Sequence, residues 1–253
     1  MIVMVRKIVF AVVAFSAISL AYTLKQDKPA AQGFAVIELF TSEGCSSCPP
    51  ADALVAKIEK ENKDKPVYIL AYHVDYWDRL GWKDSFSSAR NSKRQHQYAN
   101  WLRLNSVYTP QIVVNGREEF IGSEEKTLRK AIQNSLLQTS QNRLEITVEE
   151  QTATNISLSY KRNQQIQEES LVLAIVSPNA TNKIERGENK GRTLHHVQIV
   201  KDFQTFNLNG KENGLVNLTI DGTKNDLELI ALLQNTRSGQ ITAVTKLLVK
   251  PHS

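Results

Sequence analysis

Cys45 and Cys48 are the only cysteines in 253 residues, and they stand three apart in Cys45-Ser46-Ser47-Cys48. Two thiols at that spacing can close into a disulfide within one turn of chain. The pair falls between a short apolar run, Phe34 to Phe40, and a helical pattern that opens at Pro49-Pro50. A helix N-terminus stabilises a thiolate, and the thiolate is the species that attacks in disulfide exchange. The spacing therefore points to redox chemistry. Cys45, which precedes the helix, is expected nearer solvent and is the candidate attacking sulfur. Cys48, in the first turn, is the candidate resolving sulfur. The competing reading is a static structural disulfide, although a cross-link closing so small a loop constrains the unfolded chain little. Glu43 would oppose thiolate formation if its side chain lay beside the sulfurs.

Cys-x-x-Cys pairs also bind metals. A structural zinc takes four ligands, and the chain has no second cysteine pair. Copper(I) is the stronger alternative, because Cys45, Cys48 and His73 would offer two thiolates and an imidazole to a soft ion. His73 could equally accept a proton from a thiol, or be a hydrogen-bonded structural residue. Asp75-Tyr76-Trp77-Asp78 and Leu80-Gly81-Trp82-Lys83-Asp84 mix aromatics and acids in what reads as an insertion. Asp75 and Trp77 are accessory candidates for a rim beside Cys45, against the plainer reading of aromatics packed under a loop. Glu185 to Arg192 is a charged stretch with two glycines that could reach back to the site, although a solvated hairpin loop is the plainer expectation. His195 and His196 would point to opposite faces of a strand. No nucleotide or flavin motif is present, so no cofactor is expected beyond the disulfide itself, and electrons would come from another protein.

The elements that must hold these residues emerge from periodicity. Ala51, Leu54, Val55 and Ile58 recur on one helical face. Proline is tolerated in a helix's first turn, where N–H groups have no partner anyway. A second strand is expected at Val67 to Tyr72 and a second helix from Ser92 to about Leu104. A strand then ends in Asn115-Gly116, a strong hairpin signal, and returns through Glu118 to Ile121. Ser123 is the expected cap of a third helix carrying Leu128, Ile132 and Leu136. From about Asn142 the pattern changes to strands alone, with seven apolar or alternating runs between Leu144 and Val249.

The order strand, helix, strand, helix, hairpin, helix, with Cys-x-x-Cys after the first strand and Thr109-Pro110 before the hairpin, resembles the thioredoxin fold. The resemblance implies that Pro110 is a cis-proline beside the disulfide, and that the backbone at Thr109 and Pro110 holds a partner polypeptide. Gly44 stands where thioredoxins carry Trp, and Ser46-Ser47 where they carry Gly-Pro. The whole chain is similar to a bacterial secreted family known only as a domain of unknown function, with a thioredoxin-like half and a β-rich half. The stretches that carry this likeness are Leu39 to Asp52, His73 to Asp78, Tyr108 to Gln111 and Arg186 to Arg192. The expected fold is thus an α/β thioredoxin-like domain over residues 33–140, then an all-β antiparallel sandwich-like domain over 141–253.

Net charge is +5, with Lys and Arg interspersed among Asp and Glu, so no basic stripe marks a nucleic-acid partner. Arg6-Lys7 and then the apolar run from Ile8 read as a secretory signal, with cleavage after Ala21 and a polar linker over 22–32. An uncleaved anchor is the alternative. After cleavage no membrane span is expected. The chain should reside outside the cytoplasm, secreted or periplasmic, where disulfides persist. The function expected is thiol–disulfide exchange with extracytoplasmic proteins that carry thiols or disulfides, and with a redox partner protein. Copper delivery and a non-catalytic binding module are the alternatives.

Overall fold

The computed structural model describes residues 33–220 and 227–249. The expected signal segment and linker lie outside the described residues. The elements run β1 (Ala35–Thr41), α1 (Pro49–Glu61), β2 (Val67–His73), α2 (Ala89–Leu102), β3 (Gln111–Val114), β4 (Glu118–Ile121), α3 (Glu125–Leu137), then β5 (Leu144–Gln151), β6 (Asn155–Arg162), β7 (Glu169–Lys183), β8 (Thr193–Asn207), β9 (Asn213–Thr219), β10 (Leu227–Asn235) and β11 (Ile241–Val249). α2 begins earlier than its apolar pattern, because Ser88 accepts the Arg90 N–H and caps it. α3 begins at Glu125 after Glu124, so Ser123 is not its cap.

The expectation of two separate domains is overturned. Strands from both halves form one mixed eight-stranded sheet in the order β11-β10-β7-β8-β2-β1-β3-β4. β1 pairs parallel to β2 and antiparallel to β3, and β2 meets β8 in parallel at Ala71 and Ile199. The described chain is mostly β. The chain beyond residue 140 is not a self-contained sandwich, and the first half is not a closed thioredoxin-like domain, because β2 has β8 as a neighbour in the same sheet. Only β5, β6 and β9 form a second, three-stranded sheet.

Strand alternation explains how this sheet is covered. On one face Val36, Phe40, Leu70 and Tyr72 of the first half are continuous with Val172, Ala174, Val200 and Ile230 of the second. α2 lies on this face through Tyr98, with Trp101 packed against it. On the opposite face, α1 and α3 bury Leu54, Val55, Ile58, Leu128 and Ile132 against Ile37, Leu39 and Ile112. Farther along that second face the three-stranded sheet covers Leu171, Leu173, Ile175 and Leu229 with Ile156, Leu158 and Leu218. Neither half has a complete core of its own.

The seam between the halves is also polar. Glu38 of β1 points at the α2 side and takes the Arg94 Nε–H at 2.6 Å, with both side chains buried. Arg94 also donates to Gln234 of β10, and its guanidinium lies 5.2–5.5 Å from the ring centres of Tyr72, Tyr98 and Phe203. Tyr98 donates to Glu38 and accepts from Gln234. Burial penalises the guanidinium's charge, but Glu38 outweighs that and holds Arg94 protonated, above its ordinary range. The hairpin turn at Asn115-Gly116 joins the seam as well. Both residues have positive φ, and Asn115 C=O accepts the Ile241 N–H.

Candidate functional site

Cys45 and Cys48 form a disulfide at the start of α1, directly after β1. Cys48 is the N-cap residue, and Pro49 and Pro50 occupy the first turn. Those prolines have no N–H to offer, so the helix end gives a thiolate its dipole but few donors. The nearest side-chain donor is Ser47, whose Oγ lies 3.3 Å from Cys45 Sγ. Both cysteines are fully buried, whereas Ser46 and Ser47 between them are exposed. Cys45 is thus no nearer to solvent than Cys48.

The Thr109–Pro110 peptide bond is cis. Thr109 C=O lies 3.9 Å from Cys45 Sγ, and Thr109 Oγ1 accepts the Trp77 indole N–H at 2.8 Å. Trp77 also closes over Gly44, where an added Cβ would come 3.1 Å from the Trp77 Cβ. Behind Pro110, Gly122 leaves room that no other residue would. A Cβ there would meet the Pro110 Cβ at 3.0 Å and the Ala51 Cβ at 3.1 Å. Cys45, Thr109, Pro110 and Trp77 therefore come together in one place. Asp75 does not join them: its carboxylate and N–H are taken by Ser92 at the start of α2.

Beside the disulfide lies a buried charge network that local sequence pattern does not reveal. His73 Nδ1 is 2.6 Å from Asp84 Oδ2, and Asp84 also accepts the N–H groups of Glu43 and Phe86. Burial alone would raise the Asp84 carboxyl. The His73 ring and those N–H groups outweigh it and hold it below the usual carboxylate range. The His73 ring packs edge-on against His196 of β8, with centroids 4.8 Å apart. His196 stands between Glu43 and Asp52, with ring nitrogens 3.4 and 3.6 Å from their carboxylates. At those separations the contacts are ion pairs rather than hydrogen bonds. Burial would lower the His196 pKa, but the two carboxylates reverse that and push it up to about 9. Glu43 spends its remaining capacity on the Trp82 indole N–H and the Asn182 amide, and Asp52 on Thr41 Oγ1. His196 is thus shared between the Glu43 and Asp52 carboxylates.

Among the described residues, with Cys45 and Cys48 joined as a disulfide, no group of three or more His, Cys, Asp or Glu side chains is placed to hold a metal ion.

The charged loop does reach back to the site. β7 and β8 run as a long hairpin past the sheet, and its tip, residues 184–192, docks on the cysteine loop. Glu188 accepts the Ser46 N–H at 3.0 Å. Asn189, fully buried, donates 2.9 Å bonds to the carbonyls of Glu43 and Cys45. Gly187 lies against Trp82. Its charges and two glycines mark this tip in the sequence, but nothing local says what it docks on. His195, beyond the tip, is exposed and pairs with Thr181.

Several known proteins resemble this chain. A crystal structure of a protein from Agrobacterium tumefaciens is 27% identical, over 88% of this chain and 97% of that one, with a TM-score of 0.66. A domain of the outer membrane lipoprotein Omp28 from Porphyromonas gingivalis is 10% identical over 45% of this chain and 92% of that one, with a TM-score of 0.26. No curated protein matches the chain. No helix among the described residues is long and apolar enough to cross a membrane. Residues 36–234 match the family described as protein of unknown function (DUF1223), and the chain belongs to that family.

Proposed function

We propose that the protein is an extracytoplasmic thiol–disulfide oxidoreductase that exchanges electrons with the cysteines of other proteins. The observation that carries this reading is the placement of the Cys45–Cys48 disulfide at a helix start, with the Ser47 hydroxyl and the Thr109 carbonyl both at Cys45 Sγ. A disulfide in so small a loop contributes little as a cross-link, so its chemistry is the better reason for it. The N-terminal pattern of Arg6-Lys7 and an apolar run supports placement outside the cytoplasm.

In the oxidising direction a partner thiolate attacks Cys45 Sγ. The Cys45–Cys48 bond breaks, and its electron pair leaves on Cys48 Sγ, which takes up a proton. A second partner thiolate then attacks the partner sulfur of the mixed disulfide and expels the Cys45 thiolate. Two electrons pass from the partner dithiol to the protein, and the partner leaves as a disulfide. Run backwards, Cys45 attacks and Cys48 resolves. Ser47 Oγ–H donates to the Cys45 thiolate, and the Thr109 backbone offers the partner chain a hydrogen-bonding edge. Electrons are restored by a redox partner protein.

The reduction potential of the pair tests this, by equilibration in thiol buffers and trapping of free thiols. A value of roughly −120 to −270 mV is expected, as in redox enzymes. A value below about −300 mV would identify a structural disulfide and overturn the reading.

A further inference from the structure

The hairpin tip places a carboxylate on the N–H of the residue next to Cys45. Glu188 Oε2 accepts that Ser46 N–H at 3.0 Å, and Asn189 latches the tip to the carbonyls of Glu43 and Cys45. Arg192, one of the tip's cations, is tied to the side-chain oxygen of Asn189. With the disulfide closed, Cys45 carries no charge and the contact is favourable. With the disulfide open, a Cys45 thiolate would stand next in the chain to the N–H that Glu188 holds, and the two like charges would repel. Both sulfurs are fully buried, so the docked tip slows a partner's access to the disulfide, and its release opens the way to the thiolate.

We propose that residues 184–192 form a redox-gated cover, docked on the cysteine loop while Cys45–Cys48 is a disulfide and released when Cys45 is a thiolate. The inference deepens the exchange reading, and rests on it only in that the disulfide is reduced in the working cycle. Reduction by a dithiol passes two electrons to Cys45–Cys48. The dithiol closes into its own disulfide and gives up two protons, one to Cys48 and one to solvent, leaving Cys45 as thiolate. Coupling of this kind is reciprocal: a cover that repels the thiolate also favours the disulfide. The reduced protein then presents an open cysteine loop to an oxidised partner, and the oxidised protein a closed one.

Hydrogen exchange on the mature full-length chain, oxidised and then reduced with dithiothreitol at pH 8, tests the gate. The Ser46 amide and the amides of 185–191 should exchange several-fold faster after reduction. Glu188→Gln keeps an acceptor for the Ser46 N–H but removes the charge, so its reduced form should stay as protected as its oxidised form. C45S/C48S, with neither disulfide nor thiolate, should also stay protected. In glutathione buffers the E188Q disulfide should be less stable than wild type by about threefold, a rise of ~14 mV in potential. Equal exchange in oxidised and reduced wild type would overturn the gate. So would release in C45S/C48S, since loss of the cross-link rather than the thiolate charge would then be the cause. The potential of the wild-type pair is read separately: a value below about −300 mV removes the exchange function but leaves the gate standing or falling on the exchange rates.

Discussion

His196 shows how much a single residue can report. It is buried, it comes from a strand more than a hundred residues from the cysteines, and it is charged because Glu43 and Asp52 flank it. Its folded pKa, about 9, lies above its ordinary value near 6.5. A raised pKa contributes stability that is complete below about pH 6.5 and is lost as pH rises through 9. Unfolding free energy should therefore fall between pH 7 and pH 10, with His196 accounting for on the order of 3 kcal/mol. Denaturant titrations of wild type and His196→Gln across that window would show it. The difference between the two should shrink with rising pH, and a constant difference would mean that His196 is neutral when folded. Ser47 makes the complementary prediction at the sulfur. With Pro49 and Pro50 unable to donate, Ser47→Ala should slow reaction of reduced Cys45 with a thiol probe by about threefold at neutral pH, by removing a hydrogen bond to the thiolate. An unchanged rate would place the thiolate's stabilisation elsewhere.

At the scale of elements, the site depends on a close fit of α1, the Thr109–Pro110 segment and the turn after β4. Gly122 N–H donates to Pro110 C=O at 2.8 Å, while its Cα faces Pro110, Ala51 and Leu39. The Leu39 contact is a terminal methyl that can turn aside, but the Pro110 and Ala51 atoms are Cβ atoms fixed to the backbone, so Gly122→Ala should cost about 1–3 kcal/mol and push Pro110 toward the disulfide. Chemical denaturation together with the rate of disulfide reduction would register both effects. The elements themselves are legible in the sequence, because β1, α1, β2, α3 and the Asn115-Gly116 hairpin announce themselves through period and turn chemistry. The far ends of β7 and β8 are not. From Ser177 to Lys183 and from Thr193 to His196 the residues are mostly polar, since these segments run beyond the apolar cores to carry the tip. A strand whose role is to reach across a surface lacks the apolar alternation that marks a strand in sequence. The cysteines and Trp77 can be found from local pattern, and Thr109 from the resemblance to thioredoxins. The stretch that holds Glu188 and Asn189 stands out in the sequence, but their individual roles and that of His196 do not, because those roles come from contacts about 140–150 residues away.

The architecture of the whole molecule is hidden from the sequence for the same reason. The composition changes near residue 140, but the hydrogen-bonded sheet does not stop there, since β8 lies beside β2. A domain boundary is a statement about which surfaces are covered, and periodicity in one half cannot show that its sheet face is finished by the other. Glu38, Arg94, Tyr98 and Gln234 sit on that shared face. Removing one charge should be far worse than removing both. Arg94→Met leaves the Glu38 carboxylate buried and unpaired, at a cost of about 3–5 kcal/mol, whereas the double change to methionine at Glu38 and Arg94 should recover most of it. The stronger test is excision. A fragment of residues 33–140 lacks β8 beside β2 and loses Phe203, Val200 and Ile230 from the face on which Phe40, Tyr72 and Tyr98 lie, and it leaves Arg94 without Gln234. It should give weak near-ultraviolet circular dichroism, expose apolar surface to a hydrophobic dye and unfold without a sharp transition. The same fragment unfolding cooperatively, at the denaturant midpoint of the full chain, would mean that the first half carries its own complete core. If the fragment fails as expected, the second half is needed to form the pocket in which Cys45 and Cys48 are held.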